Sequence, residues 1–202
     1  MTPVKTELTH RQRQALETKR IIAEAAKALF LEQGYAATSI EAVASRAGVA
    51  VSTVYSIYKN KRSLLKGIRA TWFSTSQAGD IYEMAAREDS LARRLELYAH
   101  ATRRQWETGS AMLSIYTSAA SADPEAAAEL QATLESRRQR NGEILQEAAH
   151  LFRQDLRLEQ ITAIYVALTR PELFQELTDA WKWSPDEYEV WLANTLKQQF
   201  LP

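Results

Sequence analysis

Thr38–Leu65 reads TSIEAVASRAGVAVSTVYSIYKNKRSLL, two short helices joined by a tight turn. Ile40, Val43, Ala44 and Ala47 recur at i, i+3, i+4 and i+7, which lays one apolar stripe along a helix over Ser39–Ala47. Gly48 follows where that helix must stop and the backbone must turn, a conformation that a residue without a Cβ adopts cheaply. Val49 is an apolar plug, Val51–Tyr58 forms the second helix, and a third starts behind it. Two helices around a glycine-containing turn have the shape of a helix-turn-helix, whose second helix enters the major groove of DNA. DNA binding is therefore the leading reading.

The rest of the composition agrees with an all-α protein. The chain has 202 residues, enough for one large domain or two small ones. Only 6 Gly and 5 Pro interrupt a sequence rich in Ala, Leu, Glu, Gln and Arg, which predicts helix nearly throughout. There is no Cys, so disulfides and thiolate metal sites are excluded, and no cofactor signature is present. No apolar run approaches the roughly 18 residues of a membrane span and no signal peptide opens the chain, which predicts a cytoplasmic protein with no membrane partner. The formal net charge of zero hides a division. Residues 1–70 carry twelve Lys+Arg against five Glu, a net of +7, and the remainder carries thirteen against twenty acids, a net of −7. A basic third joined to an acidic remainder suggests one module for a polyanion and another for something else.

Residues 1–10 lack periodicity and read as a mobile end. A first helix is expected from about Thr18 to Gln33, or earlier if Thr9 and Gln12 form a capping box, with Gly34 stopping it. Asn60 reads as the cap of a fourth helix running to about Ala78, and Asp89 or Ser90 as the cap of one ending near the Gly109 break. Asp123-Pro124-Glu125 and Ser184-Pro185-Asp186-Glu187 are complete helix starts, each with Pro at the first helical position. Between them, Leu158–Trp181 reads as a helix bent near Pro171.

The string Arg20-Ile21-Ile22, Ala25-Ala26, Leu29-Phe30, Gly34-Tyr35, Thr38-Ser39-Ile40, Val43-Ala44, Ala47-Gly48-Val49, Thr53-Val54-Tyr55, Asn60-Lys61 and Leu64-Leu65 resembles, in order and without gaps, the N-terminal domain of the tetracycline-repressor (TetR) family. The tail, PELFQEL from Pro171 and WSPDEYEVWLANTL from Trp183, is similar to that family's closing helices, while about 80–155 carries no further resemblance. The resemblance implies a three-helix helix-turn-helix DNA-binding domain over 1–65. A helical effector-binding and dimerisation bundle over 66–202 would follow, about nine helices in all. It also implies a homodimeric repressor released from a palindromic double-stranded DNA operator by an unidentified small molecule. An activator, or a regulator of the same fold without a ligand, is the alternative.

Thr38 or Ser39 caps the second helix, and the free N–H groups at that helix start form a phosphate site. Val51, Ser52 and Thr53 occupy the first turn of the recognition helix, which faces base edges, and Lys59 adds a nearby charge. By resemblance, Tyr55 and Lys61 contact the DNA backbone. Two positions depart from the family. Ala50 stands where a Ser or Thr cap is common, and Ile57 where a phosphate-contacting His is common. No Arg, Asn or Gln lies on the recognition helix, so bidentate base readout is missing, and specificity falls to shape, methyl contacts and a basic arm. That arm holds His10, Arg11, Arg13, Lys19 and Arg20, placed to track phosphate or enter the minor groove.

In the second half, Trp106, Met112 and Tyr116 flank the Gly109 break, where helices would diverge. Together with Trp72, Tyr98 and Asn141 they are the expected lining of an effector pocket, against the plainer reading of ordinary core. The last helices carry more apolar surface than one buried face requires. Ile161, Ile164, Tyr165, Leu168, Trp191, Leu192 and Thr195 are the expected dimer interface of a four-helix bundle. An enzyme lacks support: three His, no i, i+4 pair of them and no glycine-rich phosphate loop leave no catalytic constellation.

Overall fold

The computed structural model describes residues 9–202, and among them every regular element is a helix. The aperiodic opening segment lies, for 1–8, outside the described residues, while His10 is already helical. The chain divides into two compact units with the boundary between Thr71 and Trp72, later than the expected 65/66 and inside a helix.

The first unit holds α1 (His10–Ala37), α2 (Ile40–Ala47), α3 (Val51–Ile57) and the start of α4 (Lys61–Ser76). Thr9 and Gln12 do close a capping box, so α1 begins eight residues before Thr18. Its regular backbone breaks at Gly34, where φ is +83°. Ser39 caps α2 by accepting from Ala42 N, and Gly48, at φ +66°, ends it with its N–H turned back to Ala44 and Ser45. Ile22, Ala26, Phe30, Val43, Val54, Leu64 and Leu65 close the core. Tyr58 packs so tightly against Gly67 that a Cβ there would lie 2.4 Å from its ring, and its hydroxyl donates to Lys19 O.

The second unit continues with α5 (Ala78–Ala86), α6 (Leu91–Gly109), α7 (Ala111–Ala122), α8 (Pro124–Glu147), α9 (Leu158–Leu168), α10 (Pro171–Gln175) and α11 (Pro185–Phe200). Helix α6 packs against α5 and α11, and α8 against α7 and α9. The core draws on all but α7, with Leu95, Tyr98, Leu145, Phe152, Tyr165, Tyr188, Leu196 and Phe200 at its centre. Arg94 of α6 caps the end of α5 by donating to Ala86 O and Glu88 O. Lys197–Glu96 and Arg103–Glu189 tie α11 to α6.

Two sequence expectations change. The fourth helix ends at Ser76, because Gln77 takes a left-handed turn (φ +56°) and α5 starts behind it. Pro171 separates two helices instead of bending one: Arg170 is extended and Pro171 occupies the first position of α10, which runs on into a π turn at Glu176–Ala180. Gly109 ends α6 as expected, with α7 starting at Ala111. Ser110 remains helical between α6 and α7, and the glycine also makes room for the Trp72 indole, whose Nε1 lies 1.8 Å from where a Cβ would stand.

Buried tyrosines give the second unit an alkaline limit. Burial pushes Tyr98 up to about 12 from an ordinary 10.0, and raises Tyr165 and Tyr188 as well. A raised folded-state pKa contributes stability in full below the unfolded value and loses it as pH climbs through the folded one. Unfolding followed by circular dichroism should therefore show constant stability up to pH 10 and a steep decline towards 12. Constant stability across that window would contradict the burial of these hydroxyls.

Candidate functional site

Helix α3 divides cleanly. Val54 is fully buried and Ile57 partly so, while Val51 and Tyr55 are 37% and 47% exposed, Ser52 and Ser56 share their side of the helix, and Lys59 is exposed just beyond its end. Thr53 is half-buried at the edge of that face. The start of α3 has no side-chain cap, since Ala50 offers no acceptor. Ser39 stands exposed at the start of α2, so its N-terminal N–H groups face solvent. Ser39, Val51, Ser52, Tyr55 and Lys59 are thus all exposed, and Thr53 is half-buried.

Two expected contacts sit differently. Thr38 is 2% exposed and its hydroxyl donates to Gly34 O, so that side chain serves the corner between α1 and α2 and is closed to a phosphate. The Lys61 ammonium donates to Tyr35 O at 2.7 Å, Ala36 O at 3.2 Å and Thr38 O at 3.0 Å, and lies 4.4 Å from the centre of the Tyr35 ring. A cation at a helix C-terminus meets the carbonyls left over there. The expected arm is also not an arm: His10, Arg11, Arg13, Lys19 and Arg20 ride on the exposed face of α1, and Arg20 is paired with Glu17.

The expected effector residues are mostly core. Trp106 is 6% exposed and donates to Thr169 O, and Trp72 donates to Gln105 O while stacking on Trp106 at 5.6 Å. Tyr98, Met112 and Tyr116 are buried. A small cavity of about 20 Å³ lies beside them, and of the six expected residues only Asn141 lines it. Its other walls are Phe73 at the end of α4, Tyr82, Thr102 and Gln105 on α5 and α6, and Arg137, Arg140 and Ile144 on α8. Thr169 closes it. The sequence does hold a signal for this site: Arg137, Arg140, Asn141 and Ile144 fall at i, i+3, i+4 and i+7. Following apolar residues along α8 passed over the two arginines.

Beside this cavity Tyr82 and Tyr165 share a hydrogen bond of 3.1 Å, whereas the Tyr188 hydroxyl is buried with no partner among the described residues. Tyr188→Phe should therefore leave thermal stability unchanged or raise it by up to about 1 kcal/mol. A clear loss would mean that the hydroxyl is bonded in solution.

The expected dimer residues split. Ile161, Tyr165 and Leu192 are at most 2% exposed, which commits them to the chain's own core and removes them from any partner surface. Ile164, Leu168, Trp191 and Thr195 are partly exposed, and Val190 is 61% exposed beside them. An open groove of about 790 Å³ between α8 and α9, floored by Gly142, Ala163, Val166 and Ala167, adds apolar surface that the chain leaves uncovered. Among the described residues no group of His, Cys, Asp and Glu is arranged to hold a metal, and no helix is long and apolar enough to cross a membrane.

A helix-turn-helix with an open recognition face, followed by a separate helical unit, defines a DNA-binding transcriptional regulator. Residues 22–68 match the family model described as bacterial regulatory proteins, tetR family, which identifies this module as a TetR-type DNA-binding domain. The fold is similar to that of a transcriptional regulator (TerR/AcrR family) from Aquifex aeolicus VF5, with 20% identity, TM-score 0.65, 90% of this chain covered and 98% of that one. It is similar to SmeT in complex with triclosan (17% identity, TM-score 0.71, 92% of each chain). It also resembles native NalD of Pseudomonas aeruginosa, the secondary repressor of the MexAB-OprM multidrug efflux pump, at 20% identity and TM-score 0.64 over 93% of this chain and 98% of that one. No curated protein matches the chain by sequence.

Proposed function

We propose that this protein is a homodimeric repressor that holds a palindromic operator and releases it when a small molecule enters the second unit. The observation that carries the reading is the division of α3, with Val54 sealed in the core while Val51, Ser52 and Tyr55 stand open at the helix start. In this reading Ser39, Thr53, Tyr55 and Lys59 hold phosphates or sugar, and Val51 and Ser52 meet base edges, Val51 through a thymine methyl. One seven-residue recognition helix reads few base pairs, so a two-fold partner that doubles the contacts favours the dimer. Ile164, Leu168, Trp191 and Thr195 supply exposed surface for it.

Ligand control is supported by the cavity beside α4, α6 and α8 and by the likeness to SmeT, which was solved with triclosan. Repression is supported by the likeness to NalD, described as a repressor. A ligand that binds the DNA-incompetent form more tightly shifts the population away from DNA. Selection of bound sequences from random double-stranded DNA should return a palindrome with half-sites about one helical turn apart. A single unrepeated half-site, together with a monomeric mass in solution, would overturn the dimeric reading.

A further inference from the structure

The cavity beneath α8 is unusual in its charge. Two guanidinium groups line it and no carboxylate among the described residues does. Arg137 is turned inward, with its Nη2 donating to Thr169 O and to Thr169 Oγ1 and its guanidinium 5.5 Å from the centre of the Trp106 ring. All of these partners are neutral. Glu172, whose charge reaches Arg137, is held instead by Arg170 through bonds of 2.6 and 3.1 Å. Burial accordingly pushes the Arg137 pKa down from its ordinary value. Arg140, one turn further along α8, is exposed and lies 4.9 Å from the centre of the Phe73 ring. Asn141 is buried between them and the core. A second deficit adjoins this one: the partnerless Tyr188 hydroxyl is near enough to feel the charge of Arg137. A partly buried cation and a buried hydroxyl without acidic partners are costly, and an anion compensates them.

We propose that the effector is an organic carboxylate whose charged end is taken by Arg137 and Arg140, with Asn141 and Gln105 completing its hydrogen bonds and its apolar body lying against Phe73 and Ile144. The inference rests on the ligand-responsive reading above and names the chemistry of that same site. Guanidinium matches carboxylate geometry with two parallel bonds, which is why charge and shape act together here. At about 20 Å³ the cavity holds roughly one water, so the ligand must open it. Its movable wall is the Arg140–Phe73 pair, because Arg140 is exposed and Phe73 only half-buried. Phe73 belongs to the last turn of α4, the helix that starts in the DNA-binding unit at Lys61. Displacing Phe73 therefore acts directly on that helix.

The test uses the full chain and three matched pairs of probes: benzoate, 2-naphthoate and octanoate, each with its neutral amide. Inorganic phosphate, sulfate and a naphthylmethylammonium cation serve as controls. Binding is read by calorimetry and by the fluorescence of Trp106 and Trp72, and function by release of the selected operator. At least one carboxylate should bind about tenfold or more tightly than its amide and release DNA. Arg137→Met should abolish that preference, and Arg140→Gln should reduce it. Should Arg137→Met fail to fold, Arg137→Lys keeps the charge, loses the paired bonds, and should lower the preference without removing it. Equal affinity for carboxylate and amide, or binding of inorganic anions alone, overturns the proposal. So does a preference that survives Arg137→Met. Release of DNA by neutral or cationic compounds only also overturns it and leaves ligand control standing. If no compound of any class releases DNA, both readings fall.

Discussion

Replacing Lys61 with Met is expected to destabilise the DNA-binding unit by about 2 kcal/mol and to weaken DNA binding evenly across sequences. The ammonium donates to three carbonyls at the end of α1, and hydrogen bonds to charged groups contribute about 1.5–3 kcal/mol. Those carbonyls belong to Tyr35, Ala36 and Thr38, immediately before the Ser39 cap that starts α2. Helix α3 packs on α2, so loosening this corner misplaces the recognition helix without removing a phosphate contact. The dependence of log affinity on log salt should consequently keep its slope. Lys59→Ala should behave in the opposite way. Lys59 is exposed, so its loss should leave the melting temperature unchanged and flatten the salt slope by about one. Thermal melts and salt titrations on the selected operator separate the two. A slope lowered by one in Lys61→Met, with an unchanged melt, would place Lys61 on a phosphate, as the resemblance implies, and remove it from the corner.

What was legible in the sequence was what is decided locally. Ser90, Asp123 and Ser184 each start a helix by accepting from an N–H two or three residues ahead, so a short window holds the whole interaction. The helix-turn-helix was legible for the same reason: Gly48 and the Ile40, Val43, Ala44 stripe need no distant partner to be understood. The break at Gln77 was not legible, because Gln has no intrinsic preference for the left-handed turn that it adopts there. The partner surface was legible only by half. Counting apolar residues on α9 and α11 cannot tell Ile161, Tyr165 and Leu192, which face the chain's own core, from Ile164 and Trp191. Arg137 escaped for a related reason. A charged residue on a long helix is most simply read as solvated, and only the tertiary fold turns its guanidinium onto Trp106 and Thr169.

Gly109→Ala should unsettle the second unit more than its size suggests. A Cβ at this position would fall 1.8 Å from Nε1 and 2.0 Å from Cε2 of Trp72, closer than any real contact, so the indole must leave. Its departure breaks the Trp72 bond to Gln105 O at 2.9 Å and separates Trp72 from Trp106. Overpacking of this kind costs about 1–3 kcal/mol and a lost aromatic pair about 1 more, while the better helix propensity of Ala returns up to about 1. The net loss should be about 2–3 kcal/mol, a melting temperature lower by roughly 10 °C. The second substitution decides the cause. Trp72→Leu is destabilising alone, yet combined with Gly109→Ala it should cost less than the two separate losses added together, by at least about 1 kcal/mol, because the clash has no indole left to meet. Strict additivity would mean that Gly109 is needed for its backbone and not for the space it leaves. DNA affinity is the second readout, since Trp72 anchors the C-terminal end of α4 within this unit. If the single mutant melts early but still binds DNA normally when folded, the Trp72–Gly109 contact supports the fold alone and has no part in positioning that helix.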